Sequence, residues 1–364
     1  MPIGVFSAQA TQLQPRANSA ATSFLATLGA PHQLASTVPR SGDLNPYGMA
    51  VVTTSAGHLV RGSTLISNFN AKSNVQGTGT TIMQVSASNH VSVFATVTNH
   101  TTSFKCPGGI GLTTALAILP GGWVVVGSLG ANQHGFLPND KPAGCLVILS
   151  NTGAVVELWS GVNLNGPWDM AATSTPTSAQ LYVSDVMPDT RSTTNVVISE
   201  NCKVDRLNVA LHGGTKPTLS SSTTIGSSLT CEPNAATFVE GPTGIAIGAN
   251  GTAYVAETLA NNVMKIPSAA TRTTALNEAS NVFSAGGSLD NPLGVIMARN
   301  GDVLVANANN GNVVEIAPNG KQLATRTLVK NGSGALFGLS LSLDGKSLLF
   351  VNDATNALDV ATGR

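Results

Sequence analysis

The chain has 364 residues, a formal net charge of zero and only 10% charged residues, against roughly 25% in typical soluble proteins. It has no basic stripe, no polybasic amphipathic stretch and no apolar run near the ~18 residues of a spanning helix, which argues against nucleic acid, a membrane surface and a membrane span as its partners. Its polar surface must come from Ser, Thr, Asn and Gly, a composition suited to short strands and turns rather than to long surface helices.

Residues 1–10 (MPIGVFSAQA) are a short apolar run ending in Ala8-Gln9-Ala10. They read either as a flexible terminus or as the remnant of a secretory signal, and residues 1–20 are set apart from one domain over 21–364. Residues 22–28 (TSFLATL) have strand character. From residue 44 a two-part phrase recurs. Its first part is a turn and a short apolar strand: 45–52 (NPYGMAVV), 112–119 (LTTALAIL), 166–172 (GPWDMAA), 241–247 (GPTGIAI), 291–297 (NPLGVIM) and 335–341 (ALFGLSL). Its second is a β-branched strand ending in a small polar or acidic residue: 64–68 (TLISN), 123–128 (WVVVGS), 181–185 (LYVSD), 253–257 (AYVAE), 303–307 (VLVAN) and 348–353 (LLFVND). The fifth copy shows two further strands, 312–316 and 322–328, on either side of a Pro318-Asn319-Gly320 turn, which is a hairpin signal.

Four antiparallel strands repeated six times predict an all-β, six-bladed β-propeller, each sheet burying its faces against its neighbours. Copy six ends after three strands, the last over 357–360. Residues 22–28 are expected to supply the outer strand of that last blade, closing the ring and removing two open edges.

Four cysteines, Cys106, Cys145, Cys202 and Cys231, lack Cys-x-x-Cys spacing, so neither a zinc site nor a redox motif is indicated. Alternating strand direction puts the fourth-to-first and second-to-third loops of every blade on one face, here called the top. All four cysteines map there, one pair to blade two and one to blade three. The pairs Cys106–Cys145 and Cys202–Cys231 follow, and with them an oxidising, secreted or periplasmic setting; four buried thiols are the alternative.

Residues 305–314 (VANANNGNVV) and 255–263 (VAETLANNV) resemble the NHL repeat. The resemblance covers residues 44–364 and extends to the gluconolactonase-like and streptogramin lyase-like propellers. The second strand of each blade ends at the top, at Asn68, Ser128, Asp185, Glu257, Asn307 and Asp353. Such a ring of oxygens suits a hard cation. The gluconolactonase resemblance implies Ca²⁺ or another divalent cation held by Glu257, Asn307, Asp353 and Asp185, with Asn68 in the same ring and Asp185 as base. The other reading is that these side chains close turns.

Asp169 occupies the place of the recurring glycines Gly48, Gly244 and Gly294. It either faces the channel as a catalytic carboxylate or caps amides of the next blade, and Trp168 beside it is placed to wall a pocket. Of six histidines, His32, His100 and His134 map to top loops and His58, His90 and His212 to bottom turns. His134 is the candidate base that the streptogramin lyase resemblance implies. Residues 108–111 (GGIG) lack the third glycine of a dinucleotide fingerprint, so no nucleotide cofactor is expected. The function expected is a monomeric module binding a small molecule, glycan or protein through its top face. The alternative is a divalent-metal-dependent hydrolase or lyase acting on a lactone or ester.

Overall fold

A computed structural model describes residues 23–98, 106–130, 144–161, 164–186, 199–234 and 238–363. The strands form six sheets, each built on four antiparallel strands. The innermost strands are Leu44–Val51, Leu116–Leu119, Pro167–Ser174, Pro242–Ile247, Pro292–Met297 and Leu336–Leu341. Each packs against the innermost strand of the next blade, and the last packs against the first. The ring is therefore closed, as the repeat predicts.

The second strands are sandwiched between neighbouring blades and are buried along their length, as in Ala253–Glu257, Val303–Asn307 and Leu348–Asn352. Burial on both faces selects the continuous Val, Leu and Ala runs seen in the sequence. The outermost strands have one wet face; Gln322–Thr327 alternates half-buried and exposed, the period of two that a half-covered sheet imposes. Blade three departs from the pattern. Its third and fourth strands, Ser199–His212 and Thr215–Asn234, run to 14 and 20 residues, so Cys202 and Cys231 lie within strands rather than in the loops expected for them. Both disulfides pair as expected, Cys106 with Cys145 (Cα–Cα 5.6 Å) and Cys202 with Cys231 (6.1 Å).

An N-terminal strand completes blade six, but it is not residues 22–28. The outer strand is Leu28–Ser36, paired antiparallel from Leu28 opposite Gly363 to Ser36 opposite Ala357. The preceding residues form a 3-10 turn, Leu25–Thr27, with Phe24 and Leu25 buried. Their amides are claimed elsewhere: Glu315 of blade five accepts from Ser23 Oγ, Phe24 N (2.6 Å) and Leu25 N (3.0 Å). Arg326 donates to the carbonyls of Leu25, Leu28 and Gly29. An outermost strand has a free edge, which is where Pro31 is tolerated. His32 accordingly lies in this strand opposite Val360, not in a top loop.

Candidate functional site

In five of the six blades the innermost strand breaks register just after its first residues: between Pro46 and Met49, Pro167 and Asp169, Pro242 and Ile245, Pro292 and Val295, and Leu336 and Leu339. A β-bulge re-aims a side chain, and here it turns the residue after the proline, or after Leu336, toward the channel. Those residues are Tyr47, Trp168, Thr243, Leu293 and Phe337, with Thr114 equivalent in blade two, and all six line a single cavity of about 340 Å³. The residue that follows is a glycine in four blades because the next blade's backbone is too close for a side chain. A Cβ at Gly244 would lie 2.1 Å from the carbonyl oxygen of Leu293, and one at Gly338 2.0 Å from that of Tyr47.

Asn45, at the top end of its strand, and Gln76, Asn291 and Asn309, in top loops, also line the cavity. Its floor is aromatic. Tyr47 stacks on Phe337 with ring centroids 5.7 Å apart and meets Trp168 edge-on at 5.8 Å. Trp168 Nε1 donates to the Tyr47 hydroxyl at 2.8 Å, and Phe69 closes the cluster 6.3 Å from Phe337. Burial, with the carboxylate of Asp169 adding to it, lifts the Tyr47 phenol well above its ordinary value. It stays a neutral hydroxyl.

The expected ring of oxygens is not gathered around this cavity. Cross-strand register places Asn68 opposite Pro46, Asp185 opposite Pro167, Glu257 opposite Pro242, Asn307 opposite Pro292 and Asn352 opposite Leu336. Asn352, not Asp353, is therefore the sixth-blade equivalent. Four of the ring side chains serve the blades themselves. Asn68 Nδ2 donates to the Thr37 carbonyl at 2.8 Å and Asn307 Nδ2 to the Ser288 carbonyl at 2.7 Å. Asp185 accepts from the amides of Asn165 and Gly166, both at 2.7 Å, and Ser128 accepts from Gly111 N at 2.9 Å. Strands alternate faces, so the next residue along is the one that lines the channel: Phe69, Thr258, Ala308 and Asp353.

Of the five expected metal ligands only Asp353 reaches the cavity. Among the described residues no three acidic, His or Cys side chains are brought together to hold a metal ion. This donor set does not fit a divalent cation at the channel mouth.

Two carboxylates line the cavity, Glu240 and Asp353, and Asp353 is the one whose burial shifts it. Asn45 Nδ2 donates to its Oδ2 at 2.8 Å, while Oδ1 is buried with no partner. Burial raises the group to about 7. Asp169 and Asp185 are also raised to about 7 by burial, but neither lines the cavity. Asp169 accepts from Met170 N at 2.8 Å and from Ile245 N of the next blade at 3.4 Å. This is the amide-capping role weighed for it from sequence. His134, His100 and residues 1–20 lie outside the described residues. His58, His90 and His212 lie in or beside the bottom turns.

Sequence reasoning found Trp168 but missed Tyr47, Phe69 and Phe337. The available signal was the position before the recurring glycine, which is aromatic in blades one, three and six.

Among solved structures, this backbone superposes on a gluconolactonase from Xanthomonas campestris (TM-score 0.56, 13% identity, 93% of this chain and 92% of that one). It also superposes on a streptogramin B lyase (TM-score 0.51, 12% identity, 93% and 98%) and on regucalcin, a calcium-binding protein from Agrobacterium tumefaciens (TM-score 0.51, 14% identity, 92% and 96%). The fold is the six-bladed propeller of these proteins. The sequence matches no family model and no curated protein. At these identities the likeness speaks for architecture, and the site has to speak for itself.

Proposed function

We propose that this propeller binds a small molecule in its top cavity, the apolar or aromatic body of the ligand resting on Tyr47, Phe69, Trp168 and Phe337 and its polar edge meeting Asn45 and Asp353. One observation carries the reading: six equivalent strand positions converge on one cavity of about 340 Å³. That size, an apolar floor and a few directed polar groups are the ordinary anatomy of a small-ligand site. The two disulfides support a secreted or periplasmic setting.

A second reading, hydrolysis of a lactone or ester in the same cavity, is favoured by Asp353. A half-buried carboxyl raised to about 7 with one oxygen unpartnered is suited to general-base work near neutral pH. The architecture shared with a gluconolactonase supports it too.

An aryl lactone such as dihydrocoumarin tests both readings, because it offers an aromatic face and a scissile carbonyl in one small molecule. Saturable quenching of tryptophan fluorescence, weakened at least about tenfold in Phe337→Ala, supports the binding site. Hydrolysis that is lost in Asp353→Asn while quenching persists supports the second reading. Absence of saturable binding across a panel of aromatic and sugar lactones sinks both.

A further inference from the structure

Blade four holds a second group of buried acids, away from the cavity. Glu257, the last residue of its second strand, is 0% exposed, and neither carboxylate oxygen has a partner. Directly across the hairpin stands Asn262, itself buried, whose Oδ1 is also unpartnered. Its Nδ2 donates at 2.7 Å to Oε1 of Glu278, a buried residue in the connection to the outer strand. Cross-strand neighbours have Cβ atoms only ~5 Å apart, so Asn262, bonded to Glu278, stands beside Glu257, and these two neighbours carry three unpaired oxygens.

Burial raises the Glu257 carboxyl, so without an ion it holds its own proton; for the charged form three explanations are open. A basic side chain would neutralise it, but among the described residues none is a charge partner of Glu257: burial and the like charge of Glu278 are the influences on it. A proton shared between the carboxyls would show as a direct hydrogen bond between them. Asp302 and Glu315 make one in blade five, whereas Glu278 acts on Glu257 through its charge, with no hydrogen bond between them. The third explanation is a cation. Buried charges are otherwise paired or bound to metal, and carboxylate and amide oxygens are the ligands of a hard ion.

We infer that Glu257, Glu278 and Asn262 form a Ca²⁺ site inside blade four, separate from the channel mouth, with water completing the coordination from the side of Glu278. Two carboxylates and one amide are a sparse set, so affinity belongs to the weak, extracellular class, on the order of 0.1–1 mM. An ion there ties the second strand to the long connection between residues 266 and 282, so binding reads out as stability. The inference does not rest on the ligand proposed for the cavity.

The test uses the whole disulfide-bonded chain, stripped with chelator and melted with and without about 10 mM Ca²⁺. One Ca²⁺ per chain by equilibrium dialysis at millimolar free Ca²⁺ and a rise in Tm of about 2–5 °C are expected. Glu257→Gln and Glu278→Gln should each abolish the rise without lowering the Tm of the stripped protein, since each removes a like charge. If Glu257→Gln fails to fold, Glu278→Gln, at the edge of the site, carries the test. Asp353→Asn should keep the rise. No Ca²⁺-dependent rise in the unmodified chain, a rise that survives in Glu278→Gln, or one lost only in Asp353→Asn would each overturn the site.

Discussion

Asp353 carries both the polar recognition proposed for the cavity and a cost in stability. Burial lifts its carboxyl from 3.8 to about 7. Between about pH 4 and 7 the folded chain therefore holds a proton that the unfolded chain has released. Stability from this group is fully present below the unfolded value and is lost as the pH climbs through 7. Asp169 and Asp185 behave alike, so the whole protein should lose stability over that range. Asp353→Asn removes one contribution: its Tm relative to the unmodified chain should be more favourable at pH 8 than at pH 5, by scanning calorimetry. A difference independent of pH would contradict the raised value. At Gly244 the expectation is steric. An alanine Cβ 2.1 Å from the Leu293 carbonyl forces two blades apart, so Gly244→Ala should cost about 1–3 kcal/mol in denaturant unfolding. These residue-scale features were only partly legible in the sequence. Asp169 stood out because it replaces a glycine. The distinction between Asn352, which serves the blade, and Asp353, which lines the cavity, turns on a bulge that shifts register by one residue. Two adjacent polar residues at a strand end give no sign of which one faces the channel.

Strand elements were read more surely. Continuous apolar runs mark the second strands because both of their faces are covered, and Asn-Gly or Asp-Gly pairs mark the hairpins: Gly251, Gly301 and Gly345 all sit at positive φ, where glycine carries no steric penalty. The N-terminal element was misplaced by several residues for a physical reason. Residues 22–28 look like a strand, while Leu28–Ser36 contains Gly29 and Pro31, which weaken strand propensity yet cost little at an outer edge. Tertiary bonds to Glu315 and Arg326 decide the matter, and propensity is overridden. Arg326→Ala should therefore loosen the N-terminal segment without unfolding the blades, seen as faster hydrogen exchange over residues 24–29 and a smaller change elsewhere. In blade three the Cys202–Cys231 bridge closes a sequence separation of 29 residues between adjacent strands. Replacing both cysteines with serine should cost about 2–4 kcal/mol. Unchanged denaturant midpoints would show that the long strands hold without it.

At the scale of the molecule, the low charge content follows from the architecture. Most of the described residues lie in sheets pressed between other sheets, and Ser, Thr, Asn and Gly in the turns supply the contact with water. The closed ring makes stability collective, because each innermost strand is packed by two neighbours and none is terminal. Removing residues 1–36 exposes the edge strand Ala357–Gly363 and should leave a chain that associates or unfolds at markedly lower temperature, measurable by light scattering during a melt.

The pairing of Leu28 with Gly363 makes the position of the chain ends arbitrary with respect to the ring. A linker between them would turn the first and last strands into one more hairpin and leave an endless meander. Such a circularised gene could be reopened at the exposed Pro318-Asn319 turn and still encode all six sheets. The start and stop of translation could then be moved to any rim hairpin, and fusion partners mounted on whichever blade leaves the cavity mouth clear.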